Sequence, residues 1–352
     1  MTHETRDTIN MISNSLENTW RNLVFGLVCT LIVIAGGLYL FHRELYSPII
    51  ISESQSSATA LAESGTQVRG VKEYRPYVIG GDVVSTIRIP EKRDMFIPFD
   101  TRLISAVGVI VKDMGTGQVL FGKNEYEPRS LASVTKLMSA MVFEEYISDW
   151  SVTVPAPADT IFDSHVFPGE TATLSEWYQV ALVVSSNRAI LALVDGSGHT
   201  REEFVSRMNE KAVELGMSDT TFTEPTGIDP GNISTASDAA LLLNDALHNE
   251  RIFNTLSLRS VEYTSSVTKK QKTMWSTNWL LTDWVHSTFV EPIIGKTGYI
   301  LESDYNFVGK FAKDADQSIE VIVLGSHDEE SRFTDATALA EWVFTNYEWT
   351  NP

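Results

Sequence analysis

The sequence contains a single cysteine, Cys29, among 352 residues. One thiol cannot form an intrachain disulfide, and it cannot build a thiolate metal cluster. The seven histidines show no HxxxH spacing, and the chain has no CxxC motif. Metal sites usually show such spacings, so we expect a protein that works without a metal ion or another cofactor.

Positive charge is also scarce. The chain has 27 Lys and Arg against 46 Asp and Glu, which gives a formal net charge of -19. Such an excess repels nucleic acid and anionic membrane surfaces, and no basic stripe offsets it, so we expect no nucleic-acid partner. Hydrophobic residues make up 43% of the chain and charged residues 21%, a composition typical of a protein that folds around a core.

The chain has one long hydrophobic run, NLVFGLVCTLIVIAGGLYLF at residues 22–41. Twenty uncharged residues at about 1.5 Å each span about 30 Å of hydrocarbon, which predicts a transmembrane helix after a short tail at residues 1–21. A cleaved signal peptide and a buried core helix are the alternatives. The run is longer than a typical signal-peptide core, and Ala-x-Ala at residues 58–60 lies too far downstream for ordinary cleavage, so we favour an anchor.

Residues 42–100 read as a linker. ISESQSSATALAESGTQ is small, polar and rich in serine, which is typical of a flexible tether. YVIGGDVVSTIRI, farther along, has the β-branched composition of short strands, although it could equally line the surface of the next domain. Basic residues flank the hydrophobic run on both sides, so charge alone does not orient the helix in the membrane.

Residues 101–352 carry the pattern of one folded domain. LISAVGVIVKD and GQVLFGK flank residues 114–116 and predict a hairpin, and YNFVGKFAK and SIEVIVLGS predict strands near the other end. Between them, three helical stretches occupy residues 131–146, 173–194 and 201–215, the last followed by Gly216 as a C-cap, and FTDATALAEWVFTNY predicts a terminal helix. Strands at both ends with helices between them predict an α+β fold whose antiparallel sheet joins distant segments.

The tetrapeptide SVTK occurs twice, at residues 133–136 and 266–269. A Ser-x-x-Lys match is expected about once by chance in a chain of this length. Ser133 opens a run that is apolar on nearly every side, so we expect a buried helix with Lys136 within hydrogen-bond reach of Ser133. Taken alone, the pair is better explained by a capping serine and a snorkelling lysine. The second copy precedes a cationic polar stretch at residues 270–272 and is typical of a solvated loop or hairpin end.

Two further motifs distinguish the copies. Ser185, Ser186 and Asn187 form a Ser-x-Asn triplet in a helix-rich segment, whereas residues 276–278 form a second such triplet close to the second SVTK. A single Lys-Thr-Gly occurs at residues 296–298, and its chance expectation is only about 0.1 per chain of this length. The order Ser-x-x-Lys, Ser-x-Asn, Lys-Thr-Gly is the signature of penicillin-binding proteins and class A β-lactamases.

The wider sequence resembles the serine D-alanyl-D-alanine carboxypeptidases, the low-molecular-mass penicillin-binding proteins of peptidase family S11. The segments that carry this resemblance, which covers residues 103–347, are ASVTKLMSA, SSNRAI, EPTGIDPGNISTASDAALL, TNWLL and GKTGYILESDYNFVG. Two features depart from the family pattern. Position 186 is Ser where relatives often have Gly, and the chain after Gly298 is long enough only to finish the sheet and one helix, without the further β domain and amphipathic anchor of many relatives.

The resemblance implies a β-lactamase/transpeptidase-like domain that forms an acyl-enzyme on peptidoglycan stem peptides. Ser133 would be the nucleophile, Lys136 its base and Ser185 a proton relay. The implied substrate-binding residues are Asn187, Lys296, Thr297, Gly298 and Tyr299. We expect burial beside the Lys296 ammonium to lower the pKa of Lys136, and backbone N–H groups of Ser133 and Tyr299 to stabilise the oxyanion.

The implied substrate also orients the chain. Stem peptides lie outside the cytoplasm, so the resemblance implies a single-pass protein of the cell (inner) membrane with its catalytic domain outside, and β-lactams as covalent inhibitors. Three alternatives stay open. A DD-endopeptidase would use the same residues on crosslinks, a β-lactamase would need a deacylation base such as Glu224, and a non-catalytic domain would bind penicillin or sense the wall without turnover.

Overall fold

The computed structural model describes residues 78–79, 82–83, 88–314 and 316–350. The predicted transmembrane helix, the tail before it and most of the predicted linker lie outside these residues. Among the helices of the described ranges, none has the length and apolar character needed to cross a bilayer.

Fifteen strands and seven α-helices make up the described part of the chain. The strands are β1 (Val78–Ile79), β2 (Asp82–Val83), β3 (Ile89–Lys92), β4 (Gly108–Asp113), β5 (Val119–Lys123), β6 (Arg129–Ser130), β7 (Thr153–Pro155), β8 (Thr171–Thr173), β9 (Ile233–Ser234), β10 (Ser260–Thr264), β11 (Gln271–Trp275), β12 (Ile294–Ile300), β13 (Asp304–Ala312), β14 (Ser318–Ser326) and β15 (Tyr347–Thr350). The helices are α1 (Thr135–Tyr146), α2 (Leu174–Val183), α3 (Asn187–Gly196), α4 (Arg201–Leu215), α5 (Ala236–His248), α6 (Glu250–Leu256) and α7 (Ser331–Asn346).

The central sheet has five antiparallel strands in the order β12-β13-β14-β4-β5. The early hairpin β4–β5 joins the late strands through the pairing of β4 with β14, in which Ile110 lies opposite Ile322. The prediction of an α+β fold with one sheet built from both ends of the domain is confirmed, and the described residues form five further two-stranded sheets.

Both faces of this sheet are buried. Along β4, Val109 and Val111 belong to one hydrophobic cluster, which contains the apolar side of α7. Ile110, between them, belongs to the other cluster, which contains the helices of the middle of the chain. Successive residues of a strand point to opposite faces, so the alternation shows that α7 and the helical middle cover the two sides of the sheet.

Helix α1 lies inside the helical middle. Every residue from Thr135 to Phe143 is buried, in agreement with a sequence that is apolar on nearly every side. The predicted helical stretch after it is two helices, α2 and α3, because the chain breaks at residues 184–186, where Ser185 has a φ of +63°. The predicted C-cap of α4 is confirmed by the left-handed conformation of Gly216 at φ +80°.

Residues 89–100, which we assigned to the linker, pack on the folded domain in the structure. Strand β3 pairs antiparallel with β15, and the Arg93 N–H donates to the carbonyl of Asn346 at 2.9 Å. Phe96 contacts Trp342 edge to face, with ring centroids 5.7 Å apart. The folded domain therefore begins before residue 101.

Candidate active site

Ser133 lies in a short 3-10 turn, Ala132–Val134, that leads directly into α1. Lys136 lies three residues after Ser133, in the first turn of α1, and residues three apart share a helix face. Lys136 Nζ donates to Ser133 Oγ at 2.8 Å. The N-cap position of α1 is Val134 and no side chain caps the helix, so the capping interpretation of Ser133 is wrong. Ala132, just before the serine, has a strained φ of +48°.

Lys136 is completely buried, so the snorkelling interpretation is also wrong. Its Nζ donates to Asn187 Oδ1 at 2.7 Å and to the carbonyl of Thr226 at 2.6 Å, in addition to Ser133. Burial lowers the pKa of Lys136 to about 7, against the opposing charges of Glu224 and Asp163. A lysine with this pKa is partly neutral at physiological pH and can accept a proton.

We expected the Lys296 ammonium to help lower the pKa of Lys136, and the cause of the shift is different. Burial alone depresses the Lys136 pKa, and the two neighbouring carboxylates raise it. The pKa of Lys296 lies well below its ordinary value because of burial and then the charges of Lys136 and Arg332. Both lysines are therefore poised to lose a proton, but for partly different reasons.

Ser185 meets Lys296 in the cleft. The left-handed backbone of Ser185 lies in the break between α2 and α3, and Lys296 Nζ donates to its Oγ at 2.7 Å. Lys296 is buried in β12 and also donates to the carbonyl of Thr297 at 3.0 Å. Because left-handed φ is costly for a non-glycine residue, the break holds the serine hydroxyl in place by tertiary packing rather than by local preference.

Asn187 is the first residue of α3, and its amide is fixed from two sides. Its Oδ1 accepts from Lys136, and its Nδ2 donates to the carbonyl of Phe162 at 2.9 Å. Ser186, the position that departs from the family pattern, caps α3 by accepting from the Ala189 N–H at 3.0 Å. The Ser186 hydroxyl also donates to Asp163 Oδ2 at 2.6 Å, which ties the loop bearing Phe162 to the start of the helix.

The remaining predicted residues follow one another on β12. Thr297 Oγ1 donates to Thr277 Oγ1 at 2.7 Å, and Tyr299 is half exposed with its ring stacked on Tyr305 at 4.3 Å. A Cβ on Gly298 would lie only 2.6 Å from the carbonyl oxygen of Leu131 and 3.3 Å from the backbone nitrogen of Ser133. Only glycine lets the strand approach the nucleophile turn this closely.

These residues share one cavity of about 630 Å³. Six of the eight predicted site residues line it, namely Ser133, Ser185, Asn187, Thr297, Gly298 and Tyr299. The other two, Lys136 and Lys296, are buried and reach the lining hydroxyls from beneath, at 2.8 and 2.7 Å. The three motifs, widely separated in sequence, therefore form one constellation.

The comparisons with known proteins agree with this geometry. A protein-family model described as D-alanyl-D-alanine carboxypeptidase matches residues 98–328, about two thirds of the chain. The chain belongs to the D-alanyl-D-alanine carboxypeptidase family. The D-alanyl-D-alanine carboxypeptidases DacF of Bacillus subtilis and DacC of Escherichia coli are 29% and 28% identical over 69% and 71% of this chain. The matches cover 63% and 64% of those relatives, a little under two thirds of their length.

Solved structures confirm the transpeptidase-like fold. A mutant of the Streptomyces K15 DD-transpeptidase is 26% identical, with a TM-score of 0.60 over 69% of this chain and 98% of that one. Penicillin-Binding Protein D2 of Listeria monocytogenes in its ampicillin-bound form has the same identity and TM-score over 68% of this chain and 98% of its own. The D-alanyl-D-alanine endopeptidase of Haemophilus influenzae is 33% identical over 58% of this chain and 69% of its own.

Arg332 also lines the cleft, although the sequence analysis did not identify it as a site residue. It lies in the first turn of α7, only 4% exposed, and Nη2 donates to Glu329 Oε1 at 3.0 Å. Its buried Nε has no hydrogen-bond partner among the described residues, and burial lowers its pKa to about 10. Nothing local in the sequence marks this arginine, because only the packing of α7 against the sheet brings it to the cleft.

Asp163 and Thr277 were missed as well. The Asp163 carboxylate accepts from the backbone N–H of Arg188 at 2.8 Å as well as from Ser186. Burial alone would raise its pKa, but these and other hydrogen bonds hold the Asp163 pKa below its ordinary value. Thr277, which we set aside with the second Ser-x-Asn triplet, enters the cleft beside Thr297.

The second SVTK lies where the sequence predicted, at the turn between β10 and β11. Lys269 is exposed there with φ +59°, and Ser266 Oγ accepts from the Thr171 N–H at 2.6 Å. Neither residue lines the cavity that contains Ser133. The prediction of a hairpin end is confirmed.

Glu224 directs its carboxylate into its own loop. Oε2 accepts from the Thr226 N–H and hydroxyl, both at 2.7 Å, and Oε1 accepts from the Gly227 N–H. Glu224 does not line the cavity that contains Ser133. Its loop touches the site through Gly227, where a Cβ would overlap the carbonyl of Ala132. The carboxylate therefore shapes the loop that supports the nucleophile.

Proposed function

We propose that this protein is a serine-type D-Ala-D-Ala carboxypeptidase that acts on peptidoglycan stem peptides through an acyl-enzyme on Ser133. One observation carries the proposal: Lys136 Nζ lies 2.8 Å from Ser133 Oγ, and its pKa is about 7. A serine becomes nucleophilic at neutral pH when an adjacent base takes its proton. Family membership supports the reaction class.

Acylation uses the two serine–lysine pairs together. Ser133 attacks the carbonyl carbon of the penultimate D-Ala while Lys136 takes the hydroxyl proton. The proton passes to the leaving amine through Ser185, whose hydroxyl is held by Lys296 at 2.7 Å. The C–N bond breaks, terminal D-Ala departs as the amine, and water then hydrolyses the ester to return Ser133.

Two further features of the cleft would hold the substrate during acylation. Backbone N–H groups of Ser133 and Tyr299 are the proposed oxyanion donors, and the close approach allowed by Gly298 supports this because β12 lies against the nucleophile turn. The amide of Asn187 is held by Lys136 and the Phe162 carbonyl and is available to position the peptide backbone of the substrate.

The terminal carboxylate would lie at the cationic end of the cleft. Lys296 and Thr297 are the residues implied by the family motif, and the structure adds Arg332, whose buried Nε lacks a partner among the described residues. A guanidinium suits a carboxylate because its donors form a planar fork. A bound carboxylate would also favour the charged form of Lys296, whose pKa is depressed in its absence.

β-Lactams are the proposed covalent inhibitors, because they acylate the same serine. This agrees with the Listeria relative, which has been determined in ampicillin-bound and cefotaxime-bound forms. The β-lactamase alternative requires a base for fast deacylation, and its candidate, Glu224, is committed to its own loop. The non-catalytic alternative is disfavoured by the intact contacts of Lys136 and Ser185.

We further propose that residues 22–41 anchor the chain in the cell membrane as a single-pass helix, with the catalytic domain outside the cytoplasm. The uncharged run of twenty residues and the location of stem peptides support this arrangement. Protease protection of the full chain in membrane vesicles tests it, because an external domain is digested only when the protease has access to the outer face.

Mass spectrometry of residues 88–352 with benzylpenicillin tests the proposed nucleophile. We expect wild type and Ser266→Ala to gain the mass of one penicillin and Ser133→Ala to gain none. Ser266 is a matched control because it belongs to the same SVTK tetrapeptide but lies outside the cleft. A folded wild type without an adduct would refute the acyl-enzyme and favour a wall-binding domain.

A further inference from the structure

A loop at residues 157–167, which we call the cleft loop, forms one wall of the cavity that contains Ser133. The loop residues that line this cavity are Phe162, Asp163, Ser164 and His165. Arg188, only 5% exposed, holds the loop from inside. Its guanidinium donates to four main-chain carbonyls of the loop, those of Pro157 at 2.6 Å, Asp159 at 3.0 Å, Val166 at 3.1 Å and Ile161 at 3.2 Å. Carbonyl groups outside helices and strands need such donors when they are buried, so these contacts fix the path of the loop.

The Asp163 carboxylate joins the cleft loop to the start of α3. Its Oδ1 accepts from the backbone N–H groups of His165 at 2.9 Å and Val166 at 3.0 Å, within the loop. Its Oδ2 accepts from the Ser186 hydroxyl at 2.6 Å and from the Arg188 N–H at 2.8 Å. A carboxylate accepts on both oxygens, whereas an asparagine amide would turn its NH2 group toward one pair of donors. The four donors therefore call for an ionised aspartate.

The same two segments meet a second time at Asn187. Ser186 and Arg188, which donate to Asp163, are the sequence neighbours of Asn187. Phe162, which precedes Asp163, accepts from Asn187 Nδ2 through its carbonyl at 2.9 Å. Two adjacent residues of the cleft loop therefore hold three consecutive residues at the start of α3.

Asn187 extends this set of hydrogen bonds to the reacting groups. Its Oδ1 accepts from Lys136 Nζ at 2.7 Å, and the same Nζ donates to Ser133 Oγ at 2.8 Å. We propose that Asp163 is a positioning residue for acylation, which fixes Asn187 and thereby keeps the Lys136 amino group on the Ser133 hydroxyl. This inference rests on the proposed acyl-enzyme mechanism. Asp163 makes no hydrogen bond to Lys136 or Ser133, all three being described residues, so its action is indirect.

The charge of Asp163 gives this role a measurable signature. Burial lowers the Lys136 pKa to about 7, and the carboxylates of Glu224 and Asp163 oppose that shift. Loss of the Asp163 charge should therefore lower the pKa of Lys136 further. The other charged or titratable groups around the set are Glu224 from the loop after α4, Lys296 from β12, Lys272 from β11, Arg188 from α3 and His165 from the cleft loop. Burial also holds the pKa of His165 below its ordinary value, so this histidine is not the source of a midpoint near pH 7.

Two substitutions at Ser186 separate its contact with Asp163 from its capping of α3. Glycine and alanine both remove the hydroxyl, but glycine is nearly as good an N-cap as serine, whereas alanine is a poor one. We expect Ser186→Gly and Ser186→Ala to slow acylation by benzylpenicillin at pH 8 to a similar extent, by about tenfold or more, as for loss of one hydrogen bond to a charged group. Thr173→Ala is the matched control, because Thr173 caps α2 and does not line the cavity. It should keep the wild-type rate when the full chain is followed by quenched-flow mass spectrometry.

Asp163→Ala, alone and combined with Ser186→Gly, tests the aspartate itself. The single variant should acylate at least about a hundredfold more slowly at pH 8, because several hydrogen bonds to one charge are lost. Its midpoint should move below pH 7 by about half a unit or more, so that the rate at pH 6, as a fraction of the rate at pH 9, is at least about twice that of wild type. The double variant should be no slower than Asp163→Ala, because the two substitutions remove the same contact.

Failure of this inference can be told apart from failure of the proposed function. If wild type forms the penicillin adduct, and Ser186→Gly and a folded Asp163→Ala keep its rate and midpoint, the positioning role is refuted and the carboxypeptidase stands. A loss in Ser186→Ala that Ser186→Gly does not share assigns the effect to helix capping and also refutes the role. If Asp163→Ala does not fold, the comparison of the two Ser186 variants decides. Absence of the adduct in folded wild type refutes the mechanism and this inference together.

Discussion

The titration of Lys136 gives the most direct test of the proposed chemistry. Lys136 must be neutral to take the proton of Ser133, and burial lowers its pKa from 10.5 to about 7. Each pKa unit corresponds to about 1.4 kcal/mol, so burial and the opposing charges of Glu224 and Asp163 together disfavour the ammonium form by about 5 kcal/mol relative to water. The neutral fraction is then about one half at pH 7 and about one per cent at pH 5.

The acylation rate should therefore rise with pH and level off above about pH 8. We expect a midpoint near pH 7 and a rate about 50-fold lower at pH 5 than at pH 7. A lysine with its ordinary pKa would instead give a rate that still rises tenfold per pH unit at pH 9. Stopped-flow or quenched-flow mass spectrometry with benzylpenicillin measures this rate at each pH, and circular dichroism checks that the domain is folded throughout.

Lys136→Arg provides the matched control, because arginine keeps the charge and stays protonated over the whole range. We expect this variant to acylate at least about a hundredfold more slowly at pH 8, within the range ascribed to a general base, and to lose the rise near pH 7. A wild-type rate that is flat from pH 5 to 9, or a Lys136→Arg variant that keeps the same profile, would refute Lys136 as the base.

Three other substitutions probe the surroundings of the site. Glu224→Gln should move the acylation midpoint below pH 7, since its carboxylate raises the Lys136 pKa, and should leave β-lactam turnover unchanged; loss of turnover would instead support a deacylation base. Lys136→Met should remove a pH dependence of stability. Because the Lys136 pKa is lower in the folded protein than in the unfolded chain, the free energy of unfolding of wild type should rise by about 2 kcal/mol between pH 7 and 9, and that of the variant should not. Urea denaturation measures both, and an equal rise in the two proteins would contradict the depressed pKa. Gly298→Ala should slow acylation at least a hundredfold and lower the melting temperature, because its Cβ would lie 2.6 Å from the Leu131 carbonyl, and a variant with normal rates would show that β12 need not approach Ser133.

The features that the sequence predicted well are those with local signatures. The hairpin around residues 114–116 and the terminal helix show hydrophobic patterns within one segment, and the helix after Ser133 shows an uninterrupted apolar run. The Lys-Thr-Gly motif was equally informative, because three adjacent residues with low chance expectation place Lys296 and Gly298 on one strand. Such signals need no knowledge of the tertiary fold.

The features that could not be predicted from the sequence depend on contacts between distant segments. The break at residues 184–186 lies inside a stretch that we predicted as one continuous helix, and its left-handed Ser185 is held by Lys296, far away in the chain. Arg332 reaches the cleft only because α7 covers the sheet. The cause of the Lys136 pKa was also partly wrong, because charges at Asp163 and Glu224 come from loops that the sequence did not place near Lys136.

The two buried lysines influence each other through their charges. The charge of Lys136 lowers the pKa of Lys296, and electrostatic repulsion is mutual, so a charged Lys296 must also disfavour charge on Lys136. A carboxylate bound beside Lys296 stabilises the ammonium at that position. A carboxylate bound there would therefore favour charge on Lys296 and, through the mutual repulsion, the neutral form of Lys136, which is the state that activates Ser133.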